Sequence, residues 1–141
     1  MAESSGNPHA VSPAGAKGLM QLMPGACRDM NVTNAFDPDQ NMKGGTEYLA
    51  RQVANVRLAL ENDESTAPSS FVLRVALAAY NAGFGYCKVA LKELRARQMP
   101  LTWENFKAVF PAASVRGLKP DWKQALGYAE KILPPTPEHP E

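Results

Sequence analysis

The chain has little of what would mark a metalloprotein, a nucleic-acid binder or a membrane protein. It carries only two cysteines and two histidines. Cys27, Cys87, His9 and His139 are scattered with no CxxC pair, so spacing supports no zinc or iron–sulfur site. Both cysteines lie in stretches of helical pattern and read as small apolar core residues; a disulfide, suited to an oxidising compartment, is the alternative. Charge of one sign is missing as well, since 15 Lys and Arg stand against 14 Asp and Glu, a net of +1. No strong field therefore favours nucleic acid or an anionic membrane. No apolar run approaches the roughly 20 residues that span a bilayer. No signal peptide is visible after Met1. No stretch alternates apolar and polar residues for more than a few positions, and there is no internal repeat. What is present is an ordinary balance for one folded domain: 141 residues, 45% hydrophobic and 21% charged, enough to bury a sizeable core.

The pattern is mostly helical. Asp37-Pro38-Asp39-Gln40 joins an N-cap Asp, a Pro at the first helical position and a Gln at the third, which marks a helix start. Met42, Tyr48, Leu49, Val53, Val56 and Leu60 then recur at helical spacing and predict one apolar face. Gly44-Gly45 interrupts that helix at about 1 kcal/mol per Gly relative to Ala, a cost that close backbone packing would offset. The polar stretch ENDESTAPSS (61–70) reads as a solvent loop. Ser69 or Ser70 is expected to cap FVLRVALAAY, which is apolar nearly all round and ends near Gly83, as suits the central helix of a bundle. Residues 85–98 predict an amphipathic helix that is basic toward its C-terminal end. Thr102 caps a short helix, WENFKAVF, closed by Pro111; residues 112–120 look irregular. Asp121 begins WKQALGYAEKIL, stopped by Pro134-Pro135. The expected domain spans 1–133, with 134–141 as a Pro-rich tail.

Two strings carry chemical information. Residues 3–21 read ESSGNPHAVSPAGAKGLMQ, and residues 79–83 read AYNAG. Together they resemble the soluble lytic transglycosylase (SLT) family, lysozyme-like enzymes that cut the glycan strands of peptidoglycan. The family's wording is an ES pair, NPxAxS, GAxGLMQxMP and, far downstream, AYNAG. The likeness covers most of residues 3–90. It implies a mostly α, lysozyme-like compact helical domain built around a central apolar helix.

Most glycosidases use two carboxylates, one as acid and one as nucleophile or base. The family that this chain resembles uses one Glu for both proton transfers, and Glu3 stands at that position. To hold a proton at neutral pH it needs an apolar surrounding that raises its pKa; Leu19, Met20 and Tyr80 are the expected walls. The resemblance further implies that Ser4 orients the acid, Gln21 hydrogen-bonds substrate and Met20 packs on a sugar face. It places Tyr80 and Asn81 in the lining of the cleft. Tyr128 falls on the Tyr of the family string ETxxYVxKI, although Gln124 and Ala125 replace its Glu and Thr. Gly15 and Gly18 read as backbone positions of positive φ, with Ser12 to Gly15 forming a turn. Trp103 and Trp122 are sugar-stacking candidates, but core packing is the commoner role of a Trp.

In the family the catalytic Glu ends a helix of several turns. Only Met1 and Ala2 precede Glu3, too few to nucleate a helix, so the resemblance implies that the first helix is missing here or replaced by another segment. The implied partner is the peptidoglycan glycan strand, with no nucleic acid, no membrane span, and no metal or organic cofactor. The implied location is the periplasm, the cell envelope or a virion, with the chain as part of a larger envelope-directed or virion protein. Two other readings are a hydrolytic muramidase and a non-catalytic peptidoglycan-binding or assembly module. The muramidase needs a second carboxylate. Asp29, Asp37 and Asp39 are nearest, yet Asp37 reads as an N-cap and Asp39 as a first-turn partner of the helix dipole.

Overall fold

A computed structural model describes residues 4–61 and 67–135. Glu3, the centre of the expected 61–70 loop and residues 136–141 of the Pro-rich tail lie outside the described residues. The elements are α1 (Pro24–Asp29), α2 (Pro38–Ala59), α3 (Ser69–Ala82), α4 (Phe84–Ala96), α5 (Trp103–Val109), a 3-10 turn (Phe110–Ala112) and α6 (Trp122–Ile132). Among the described residues there is no strand, only isolated bridges such as Lys17 with Leu22. The mostly helical expectation therefore holds. The chain divides within α2 into two compact units, residues 1–51 and 52–141.

In the first unit, Asp37 caps α2 as expected, its Oδ2 accepting from Gln40 N at 3.0 Å. Gln40 does not complete the reciprocal capping box. Its Oε1 turns outward and accepts from Thr33 N, Thr33 Oγ1 and Asn34 N at 3.0–3.1 Å, tying down the loop before the helix. The Gly44-Gly45 pair has the packing role that its cost requires. A Cβ on Gly44 would stand 2.5 Å from Val32 Cγ2, and one on Gly45 would stand 2.7 Å from Met20 Cβ. These contacts are shorter than any side chain tolerates, so α2 meets its neighbours through bare backbone.

The predicted apolar face of α2 needs correction. Met42 is exposed, whereas Asn41, Gly44, Gly45, Gln52, Val56 and Leu60 are buried. Their spacing is helical, but four of these six inward positions are polar or side-chain-free, so counting apolar residues finds Val56 and Leu60 and misses the rest of the face.

The second unit is organised around α3, against which α4, α5 and α6 pack. Arg74 to Tyr80 form an unbroken buried run, as expected of a helix that is apolar on all sides. Pro68, not Ser69 or Ser70, occupies the N-cap, without a side-chain cap bond. Gly83 ends α3 at φ 98° and, as the N-cap of α4, turns the chain directly into the next helix. Thr102 caps α5 as predicted, accepting from Asn105 N at 3.2 Å, and Asp121, expected to begin α6, is its N-cap and accepts from Gln124 N at 3.3 Å.

Trp103 belongs to the core. It is fully buried and stacks on Phe106, with centroids 5.4 Å apart, and Phe106 in turn meets Phe71 and Phe110. Trp122 is 39% exposed. Cys27 and Cys87 are free thiols, so the disulfide alternative is not formed. Cys87 behaves as a small core residue: it is fully buried, its Sγ lies 3.7 Å from Val75 O, and burial pushes its thiol pKa far up.

Candidate glycan site

The GLMQ string forms a tightly laced loop in the first unit. Ser12 to Gly15 is a turn, as expected, with Gly15 N donating to Ser12 O at 2.9 Å and Gly15 at φ 95°. Lys17 and Leu22 exchange both backbone bonds at 2.9 Å, and Gly18 N donates to Ala10 O at 2.9 Å. Gly18, at φ 81°, sits where a Cβ would collide with Ala35 O and the Asn41 side chain. Both the conformation and the space demand glycine.

Gln21 closes the loop at φ 51°, a left-handed conformation that costs a non-Gly residue about 1–2 kcal/mol. Its Nε2 donates to Gly18 O at 2.8 Å and to Ala10 O at 3.1 Å. Both partners are carbonyl oxygens and only accept, so the orientation of the amide is fixed. Met20 is buried at 7% exposure against Gly45, with Thr46 Oγ1 3.9 Å from its sulfur. Ser4 lies in a turn, its Oγ accepting from Gly6 N at 3.2 Å. Glu3 lies outside the described residues, so no surrounding is assigned to its carboxyl.

Sequence reasoning missed Asn41, which anchors this loop. It is fully buried. Its Oδ1 accepts from Met20 N at 2.7 Å, and its Nδ2 donates to Ala35 O at 2.8 Å and Lys17 O at 2.9 Å. The available signal was register: position 41 lies four residues before Gly45, on the same face of α2.

The AYNAG string is the last turn of α3 in the second unit. Tyr80 is 7% exposed, and Asn81 and Tyr128 are partly exposed. Tyr128, from α6, lies parallel to Tyr80 with centroids 6.0 Å apart and planes within 6°. Two of the expected site residues thus stack on one another, although they are 48 residues apart in sequence.

Charged clamps hold α6 in that place. Arg74, fully buried on α3, donates through Nε to Leu133 O at 3.0 Å and through Nη2 to Pro134 O at 3.2 Å. Glu130 Oε2 accepts from Trp103 Nε1 and Lys107 Nζ, both at 2.9 Å. Burial opposes ionisation of Glu130, but the hydrogen bonds from Trp103 and Lys107, with the Lys107 and Arg74 charges, outweigh it and lower its pKa. Arg74 also went unnoticed in sequence, although it is the one charge inside FVLRVALAAY.

The family profile described as "Transglycosylase SLT domain" matches residues 1–100, a span that contains both strings. The chain belongs to the SLT family. Relatives of this SLT domain include proteins named "Membrane-bound lytic murein transglycosylase F". That of Photobacterium profundum is 35% identical over 139 residues, covering 92% of this chain and 26% of the relative. That of Shewanella pealeana is 35% identical over 128 residues, covering 90% and 25%. That of Vibrio vulnificus is 38% identical over 111 residues, covering 77% and 20%. The SLT domain thus spans about a quarter of the length of the relatives it matches. No described helix is long and apolar enough to cross a membrane, and the described residues contain no His/Cys/Asp/Glu cluster able to hold a metal ion.

Proposed function

We propose that this SLT domain cleaves peptidoglycan glycan strands by transglycosylation at the β-1,4 bond between N-acetylmuramic acid and N-acetylglucosamine. Membership in the family, through a match that spans both motif strings, carries the reading. The names of the relatives support it, since they are called lytic murein transglycosylases. In this reading residues 1–133 are the catalytic domain, and it acts in the cell envelope as part of a larger protein.

Glu3 is the single acid and base. Its carboxyl proton passes to the bridging oxygen as the bond from that oxygen to C1 of the muramic acid breaks. The C6 hydroxyl oxygen then bonds to C1, and its proton returns to the Glu3 carboxylate. The product ends in a 1,6-anhydro sugar, and no water is consumed. Ser4 orients the acid, and Met20, Gln21, Tyr80, Asn81 and Tyr128 contact the glycan. Proton transfer and the substrate's own groups supply the chemistry without a metal or organic cofactor.

The test is incubation of purified sacculi with the wild-type chain and with Glu3→Gln. The proposal expects soluble fragments from the wild type and none from the variant, with both proteins equally folded by circular dichroism. Undiminished release by Glu3→Gln removes Glu3 from the mechanism. Wild-type protein that pellets with sacculi and releases nothing is a binding module instead.

A further inference from the structure

We propose that Asn41 is a positioning residue of the glycan site: it holds the 17–21 loop so that Gln21 meets the substrate only as a hydrogen-bond acceptor. This inference rests on the proposed glycan-cleaving function. Asn41 is fully buried and makes three bonds within the first unit, to Met20 N, Lys17 O and Ala35 O. The bonds to Lys17 and Met20 straddle Gly18 and fix the stretch that leads into Gln21. Gly18 approaches Asn41 too closely for any side chain to intervene.

The same loop consumes the donors of Gln21. Both hydrogens of Nε2 are aimed at carbonyl oxygens, those of Ala10 and Gly18. Oε1 accepts from none of the described residues, and Gln21 is partly exposed. An amide normally offers both a donor and an acceptor to a ligand; this one offers an acceptor alone. The substrate group facing it is then a donor, an acetamido N–H or a hydroxyl of an N-acetylated sugar. A group that only accepts finds no partner at Gln21, and a buried polar group left unpaired is what gives such a site its discrimination.

The test combines a double-mutant cycle with a measurement on the unaltered chain. Asn41→Asp keeps an oxygen for Met20 N but loses both donors to Lys17 O and Ala35 O. Because small misplacement at a reacting site costs on the order of 100-fold, Asn41→Asp is expected to lower kcat/KM on sacculus fragments by about that factor, and Gln21→Met to a similar degree. If Asn41 acts through Gln21, the double variant is no worse than the weaker single one. Losses that multiply overturn the proposal. Should Asn41→Asp fail to fold, nuclear magnetic resonance of the wild-type chain decides. The Gln21 side-chain amide protons should exchange slowly both free and saturated with chitotetraose; acceleration by the sugar means that Gln21 turns to donate, which overturns the proposal. A wild-type chain that neither cuts sacculi nor responds to chitotetraose removes the glycan reading itself. An active wild type with multiplying losses removes only the role of Asn41.

Discussion

The rings of Tyr80 and Tyr128 lie parallel and offset, 6.0 Å between centroids and 6° between planes. One comes from the C-terminal turn of α3 and the other from α6, so their contact reports how those helices are registered. Aromatic pairs contribute about 0.5–1.5 kcal/mol beyond the area they bury. A double-mutant cycle with Tyr80→Leu and Tyr128→Leu, read by urea unfolding, should therefore give a coupling within that range. A coupling near zero would mean that the rings do not support one another.

Arg74 should matter more than its place in an apolar helix suggests. Arg74→Met leaves Leu133 O and Pro134 O without their donors. Hydrogen bonds to a charged group contribute about 1.5–3 kcal/mol, so the variant should lose stability of that order. Arg74→Lys should recover only part of this, because one ammonium does not reproduce two donors held in a fixed fork. Denaturant midpoints of the two variants check both statements.

Helix propensity and packing make opposite forecasts at Gly45. Propensity alone favours Gly45→Ala by about 1 kcal/mol. The new methyl, however, would stand 2.5 Å from the Met20 sulfur and 2.7 Å from its Cβ. Overpacking of this kind costs about 1–3 kcal/mol, so the variant should melt lower than the wild type. A higher melting temperature would show that Met20 moves aside freely.

The Glu130 clamp gives a pH dependence with a definite sign. Its pKa is lowered on folding from the ordinary 4.5. The folded state therefore prefers the ionised form, and the stabilisation is complete above about 4.5 and fades as pH falls through the lower folded value. Glu130→Gln keeps an acceptor for Trp103 but removes the charge that faces Lys107. Melting temperatures taken from neutral pH down to pH ~3 should fall less steeply in Glu130→Gln than in the wild type. Parallel curves would mean that the Lys107 pair contributes nothing.

Helix termini were the most legible part of this fold. Caps such as Asp37, Thr102 and Asp121 act through local geometry, and a few neighbouring residues suffice to specify them. The inward face of α2 was not legible, because its buried residues include Asn41, two glycines and Gln52, whose burial depends on distant partners. Motif wording identified the loop around Gln21, but the direction of its amide depends on Ala10 O and Gly18 O. No pattern of residue types reveals where a carbonyl points. Asn41 and Arg74 escaped for a related reason: each is a polar side chain whose role is to satisfy backbone groups of another segment.

The most direct measurement is the mass of the fragments that the wild-type chain releases from purified sacculi. Transglycosylation predicts muramic acid ends one water lighter than the reducing sugar, in the 1,6-anhydro form. Fragments with ordinary reducing ends would contradict the account and make the protein a hydrolase.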